Sequence, residues 1–165
     1  MKFKTSTLYT THIDSPLGSI TLAATDQGLA GAWFDQQRHW PDTRGWQTDH
    51  AHPLLRQAAA QLGDYFAGRR DSFDLPLDLS HGTAFQQSVW QALRAIPAGR
   101  TTSYGALSAG VGKPAAVRAV GAAVGRNPIS VIVPCHRVLG ADGSLTGYAG
   151  GLERKTALLE LEGAL

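Results

Sequence analysis

The spacing of apolar residues changes at Ser80-His81-Gly82, from short runs divided by turn residues to helical periodicity, and this break restricts the chain to two differently built halves. Before it, Leu8-Tyr9-Thr10-Thr11-His12-Ile13, Ser19-Ile20-Thr21-Leu22-Ala23-Ala24 and Leu29-Ala30-Gly31-Ala32-Trp33-Phe34 are separated by Asp14-Ser15-Pro16-Leu17-Gly18 and Asp26-Gln27-Gly28, the pattern of a three-stranded antiparallel meander. Residues 35–52 are polar and read as loop. Leu54, Leu55, Ala58, Leu62, Tyr65 and Phe66 then recur at helical spacing between Pro53 and Gly68, so an amphipathic helix is expected over one face of that sheet. Phe73, Leu75, Leu77 and Leu79 alternate like a half-buried strand, with Pro76 pointing to an edge. The expected domains are an α+β unit over 1–80 and a second unit over 81–165.

At 165 residues and 43% hydrophobic content, the chain can bury a core without a disulfide or metal staple. One cysteine cannot form an intramolecular disulfide, the N-terminus has no apolar leader, and no apolar run approaches the ~20 residues that cross a bilayer. The expectation is a reduced, cytoplasmic protein with no membrane partner. His12, His39, His50, His52 and His81 are scattered, and His50-x-His52 lacks a third ligand, so no metal site is expected and nothing in the first half suggests chemistry.

The second half opens with Thr83-Ala84-Phe85-Gln86, which has the form of a capping box, and Phe85, Val89, Leu93 and Ile96 line one face of the helix that follows. A short helix from Ser103 to about Ala109, the break Gly110-Val111-Gly112-Lys113, and a second helix opening with Pro114 predict a helix-turn-helix. Charge agrees with a polyanion partner. Residues 1–80 carry seven Lys/Arg against nine Asp/Glu, residues 81–165 carry eight against four, and six basic residues but no carboxylate lie between Asp78 and Asp142. On a helical wheel Val117, Val120 and Val124 share a core-facing arc, opposite Arg118, Ala119, Ala122, Ala123, Gly125 and Arg126. Such a smooth face is poor at reading base edges but lets a backbone approach closely, as in a minor groove; close packing inside a helical bundle would use the same residues.

The only cysteine follows the apolar run Ile129-Ser130-Val131-Ile132-Val133, expected as a buried strand, in the stretch Pro134-Cys135-His136-Arg137-Val138. A thiol is nucleophilic as thiolate, a form favoured by an adjacent imidazole and a nearby guanidinium; a buried, inert cysteine is the other reading. In the last helix, about Leu152 to Glu162, Glu153 and Glu160 share one side, whereas Glu162 falls between Leu158 and Leu159 on the apolar side. A carboxylate there needs a partner. An arginine or backbone N–H groups would serve, and so would His136, whose tautomer and basicity an acid would fix. Chemistry by an activated thiol, as in a Cys-His hydrolase, and plain binding both remain open on these residues.

Taken together, Pro134-Cys135-His136-Arg137-Val138, Arg118-Ala119-Val120-Gly121, Asn127-Pro128-Ile129 and Gly147-Tyr148-Ala149-Gly150-Gly151 resemble the O6-alkylguanine-DNA alkyltransferases from about Phe85 to Gly163; residues 1–80 resemble them only in layout. The resemblance implies an α+β fold: a small N-terminal antiparallel sheet with a helix, of ribonuclease H-like layout, followed by a mostly helical, winged helix-turn-helix-like domain. It implies direct, single-turnover repair of O6-alkylguanine in duplex DNA with nucleotide flipping, by a monomer that uses no cofactor. Cys135 would be the alkyl acceptor, His136 its base through a water, Glu162 the orienter of His136, and Asn127 the tie between the helix-turn-helix and the cysteine segment. Tyr104 would crowd the target phosphate and donate towards N3 of guanine. Arg118 would fill the vacated stack, with Ala119, Ala122 and Arg126 on the DNA face, and Val138, Tyr148, Ala149 and Gly150 would wall the pocket. The chain departs from common family patterns at Ala149, often serine, at Val124, often polar, and in having no second cysteine for an N-terminal zinc site.

Overall fold

A computed structural model describes residues 3–4 and 7–165 of the chain; Met1, Lys2, Thr5 and Ser6, at the start of the expected first domain, lie outside the described residues. The N-terminal sheet has β1 (Tyr9–Ile13), β2 (Ile20–Thr25) and β3 (Gly28–Phe34) as an antiparallel meander. The segment read as loop contributes a fourth, two-residue strand, β4 (Gln47–Thr48), parallel to β1, so the sheet is mixed in the order β3-β2-β1-β4. Every residue of β2 and β3 is buried. One face lies under α1 (Pro53–Phe66), which turns Leu55, Ala58, Leu62 and Tyr65 inward. The other is closed by a smaller cluster of Leu8, Ala23, Ala30 and Trp33, with Phe3 and Trp46 packed against it. Sheets covered on both faces lose the in-out alternation of a half-exposed sheet, which is why β2 and β3 are mostly apolar, with Thr21 and Thr25 the polar side chains of β2.

Two expected strands are absent as strands. Among the described residues, 72–79 bridge the sheet's backbone only at Leu77, through Leu29 N–H to Pro76 O (2.8 Å) and Asp78 N–H to Leu29 O (2.8 Å), with the Asp78 carboxylate accepting from the Thr25 hydroxyl of β2 (2.6 Å). Residues 129–133 make a single bridge, Ile129 to Ala32, and then coil: Ile132 N–H donates to Ser130 O and Val133 N–H to Ile129 O, each at 2.9 Å, with Val131 forced to φ 71°. Left-handed backbone at a β-branched residue costs about 1–3 kcal/mol and survives only where surroundings impose it. Asn127 imposes it: its side-chain amide donates to Val133 O (2.7 Å) and its oxygen accepts from Ile129 N–H (3.0 Å), replacing the ladder partners a strand would have had.

The C-terminal half contains α2 (Ala84–Arg94), α3 (Tyr104–Gly110), α4 (Val117–Gly125) and α5 (Leu152–Leu161), with a two-stranded parallel pair of β5 (Thr102–Ser103) and β6 (Val138–Leu139). The capping box at Thr83 and Gln86 makes both of its hydrogen bonds. The second helix of the α3–α4 pair starts later than its proline suggested: Pro114 and Ala115 form a turn, and helix begins at Val117. Two assignments on its wheel change. Val117 is 40% exposed instead of packed, and Ala123 is buried, its carbonyl accepting the indole N–H of Trp90 (2.8 Å). Arg118, Ala119, Ala122 and Arg126 are exposed, while Val120 and Val124 join the core.

One apolar cluster runs through both halves, from Leu22, Phe34 and Leu62 to Trp90, Val120, Val133 and Leu158. Polar ties reinforce it. Arg154 of α5 donates to Leu17 O and Asp35 O, both at 2.9 Å, and lies over the Phe34 ring. Trp90, fully buried and bonded to α4, is the member whose loss leaves the largest hole. We expect Trp90→Ala to destabilise the fold by about 3–5 kcal/mol, read as a lower urea midpoint; a midpoint within experimental scatter of the parent would remove Trp90 from this role.

Candidate active site

Cys135, His136 and Arg137 form one turn of 3₁₀ helix immediately after the coiled 129–133 segment, and all three are buried. Two of the three side chains, His136 and Arg137, converge on Glu162. His136 Nε2 lies 2.8 Å from Glu162 Oε2. Arg137, the guanidinium expected to favour the thiolate, goes elsewhere: Nε and Nη2 each donate to Glu162 at 2.8 Å, and Nη1 donates to Ile96 O at 2.5 Å.

Glu162 is the C-cap residue of α5, one position past the helix, and its side chain is 1% exposed. Burial alone would raise its pKa. Four hydrogen bonds, from Arg137 (two), His136 and Tyr65, overcome this and hold it near 2, against an ordinary 4.5. The sequence reading left an arginine and His136 as rival partners for this carboxylate; the fold supplies both. His136 itself is driven toward the neutral form by burial, opposed by Glu162. With Nε2 engaged, Nδ1 is buried and has no protein partner among the described residues. A neutral imidazole donating Nε2–H to a carboxylate presents Nδ1 as a lone-pair acceptor, which is the form a general base requires.

The Cys135 thiol is pushed up by burial, and two neighbours act against that: the polar side-chain amide of Asn127 and the positive charge of Lys155. Lys155 was not singled out from the sequence. It is fully buried and donates to Val138 O (2.6 Å), Thr146 O (2.8 Å) and Gly147 O (3.4 Å), and burial brings its pKa down to about 8. A wheel signal for it did exist: Lys155, Leu158, Leu159 and Glu162 follow the i, i+3, i+4, i+7 spacing of a buried stripe. The cation beside the thiol is therefore this lysine and not Arg137.

A cleft of about 350 Å³ opens where α3, α4 and the 147–149 loop meet, lined by Tyr104, Ala122, Arg126, Tyr148 and Ala149. Cys135 does not itself line it, but Tyr104 and Tyr148 both feel the cysteine's charge, after burial, as an upward push on their phenols. Tyr104 O–H reaches Thr146 O (3.3 Å) and Gly147 O (3.4 Å), joining α3 to the loop. Gly150 is required where it stands, because a Cβ there would lie 2.6 Å from the Tyr148 ring and 3.3 Å from that of Phe34. Val138, expected to wall the pocket, is fully buried, and its carbonyl accepts from Lys155, leaving one lone pair for a second donor.

The first half is not without a part in the site. Arg38 and His39, from the segment read as loop, line the same cleft, Arg38 N–H donating to Ala149 O (2.8 Å), and Tyr65 of α1 reaches Glu162. No cluster of three or more His, Cys, Asp or Glu side chains that could hold a metal occurs among the described residues.

Sequence comparison matches residues 8–79 to the ribonuclease-like domain and residues 84–164 to the DNA-binding domain of 6-O-methylguanine DNA methyltransferase. A Mycobacterium tuberculosis methylated-DNA–protein-cysteine methyltransferase is 51% identical over 91% of this chain and 89% of its own length. The Methanosarcina acetivorans protein of that name is 47% identical over 95% and 99%. The crystal structure of Mycobacterium tuberculosis OGT in complex with DNA is similar with a TM-score of 0.87 at 49% identity, over 96% of this chain and 93% of that one.

Glu162 ionises well below its value in an unfolded chain, so its stabilisation is complete above pH 4.5 and is lost as pH falls from 4.5 through about 2. Glu162→Gln should lower the melting temperature most near neutral pH, with the gap closing across that acid window; a gap independent of pH would show that the carboxylate's charge does not stabilise the fold.

Proposed function

Because this chain belongs to the methylated-DNA–protein-cysteine methyltransferase family, we propose that it repairs O6-alkylguanine in duplex DNA by moving the alkyl group irreversibly to its own Cys135. The observation that carries the assignment of residues is the continuous chain of contacts from Glu162 through His136 to the turn bearing the protein's single cysteine. His136 takes the thiol proton through a bridging water at Nδ1, and Glu162 holds the imidazole in the tautomer that leaves Nδ1 free. Lys155 and Asn127 favour the thiolate against the opposing effect of burial. The sulfur attacks the alkyl carbon in line, the C–O6 bond breaks, and the electron pair returns to guanine, which regains a proton in place of the alkyl group; Tyr104 assists by donating towards N3. The product is a thioether that thiol exchange does not reverse, and with no second cysteine to relay the group each molecule reacts once.

The reactive atom lies within the base stack, so the nucleotide is flipped out, with Arg118 occupying the gap and the exposed Ala119, Ala122 and Arg126 facing the minor groove. Tyr148, Ala149, Gly150 and Val138 wall the pocket that receives the base. Ala149 has no hydroxyl, so recognition of O6 there uses its backbone N–H. Val124 is core and makes no DNA contact. We place the two-unit division at 1–80 and 81–165, with action as a monomer on chromosomal DNA in the cytoplasm. No helix among the described residues is long and apolar enough to cross a membrane.

Incubation with DNA containing O6-methylguanine, followed by mass spectrometry, should find one methyl group retained on the Cys135 peptide; multiple turnover with no adduct would exclude the acceptor role. Cys135→Ala is expected to abolish transfer while DNA binding persists. Arg118→Ala should slow repair in duplex DNA by about tenfold or more while leaving reaction with free O6-benzylguanine nearly unchanged, since only the duplex requires flipping at a cost of a few kcal/mol; equal losses on both substrates would remove the gap-filling role.

A further inference from the structure

Tyr65 lies in α1, in the half of the molecule away from the cysteine, yet its side chain ends on the relay. Its hydroxyl donates to Glu162 Oε2 at 2.6 Å, the same oxygen that is 2.8 Å from His136 Nε2 and 2.8 Å from Arg137 Nη2, whereas Oε1 accepts from Arg137 Nε. The residue is 2% exposed, its place is set by the backbone of α1, and its ring packs against Phe66 and Phe73. An apolar stripe needs a ring at this position, not a hydroxyl, and Phe66 beside it shows that phenylalanine fits the environment. The Arg137 fork already fixes the plane of the carboxylate, which leaves a different effect for a third donor on Oε2: it drains negative charge from the oxygen that His136 uses.

We propose that Tyr65 is a positioning residue of the relay, through which the N-terminal half sets how strongly Glu162 Oε2 draws on His136 and thereby how readily Cys135 loses its proton. The inference rests on the reading of Cys135, His136 and Glu162 as nucleophile, base and orienter. The charged and titratable groups around the relay are Tyr65 from α1, Arg69, Arg70 and Asp71 from the loop that lines a cleft with Tyr65 and Glu162, His136 and Arg137 from the 3₁₀ turn, Tyr104 on α3, Tyr148 of the 147–149 loop, Lys155 on α5, and Cys135 itself. Of the groups outside the turn, only Tyr65 is hydrogen-bonded to the Glu162 carboxylate among the described residues. Removing its hydroxyl leaves Oε2 more negative, makes His136 more basic, and shifts thiol deprotonation to lower pH.

Cys135 is the only cysteine, so the rate of iodoacetamide alkylation reports its ionisation without interference and without DNA. We expect Tyr65→Phe to move the half-point of the alkylation–pH profile down by about half a unit to one unit, a share of what a hydrogen bond to a charged group is worth. Phe73→Leu, which disturbs the same packing without touching the hydroxyl, should leave the half-point where it is. 3,5-Difluorotyrosine incorporated at position 65, a stronger donor, should move it up, and this variant keeps the test available if Tyr65→Phe fails to fold. An unchanged or raised half-point in folded Tyr65→Phe, an unchanged or lowered one with difluorotyrosine, or an equal shift in Phe73→Leu would overturn the proposal. Alkyl transfer from O6-methylguanine DNA is measured separately, so a wild-type protein that forms no adduct refutes the repair function, whereas a flat alkylation profile refutes Tyr65.

Discussion

A single buried carboxylate holds the reactive end of this molecule together. Glu162 accepts from Arg137 twice, from His136 and from Tyr65, and those donors come from the 3₁₀ turn and from α1, while Glu162 itself ends α5. Burying a charge is expensive unless it is paired and fully hydrogen-bonded, so the site is stable only when all three segments are in place together. Arg137 adds a tether to Ile96, just past α2, and so links a fourth segment to the same point. The geometry around the cysteine turn and the folding of the chain are thereby made one problem. A chain that has not closed around Glu162 has neither an oriented imidazole nor a stable C-terminal core.

The thiol illustrates a second constraint, the conflict between shelter and reactivity. Full burial shelters the thiol, but it also disfavours the thiolate. The fold answers with polar groups that are themselves buried: Asn127, whose amide also shapes the turn leading to Cys135, and Lys155, held by backbone carbonyls of β6 and the 146–147 loop. Lys155 is lowered to about 8 by the same burial, so its charge is retained at neutral pH and fades above it. Each of these groups has a structural bond and an electrostatic effect at once, which is economical in a domain of this size.

Much of the fold was legible because its signals are local. The meander, the Pro53–Phe66 helix and the capping box at Thr83 depend on residues close in sequence, and the structure contains them. Residues 72–79 and 129–133 have strand composition but make only a bridge each, because a strand exists through its neighbour and neither segment gains one along its length. In the site, Glu162 stood out as a carboxylate on a leucine face. Lys155 sits on that same face and carried the same signal. Tyr65 carried none, since a tyrosine in an apolar stripe reads as packing, and Arg38 and His39 lay in a segment with no periodicity to mark what they face.

By itself the sequence determined the chemistry available: one thiol, an adjacent imidazole, a carboxylate out of place on an apolar helix, and a basic half free of carboxylates across the helix-turn-helix. These are matters of residue type and short-range period, which the chain carries before it folds. Only the tertiary structure decided the pairing. It sent Arg137 to Glu162 and gave Lys155 to the cysteine, and it brought a tyrosine from position 65 within 2.6 Å of a glutamate at position 162. Contacts between residues so far apart depend on how α1, the 3₁₀ turn and α5 pack around a shared core, and no local pattern in the chain encodes that arrangement.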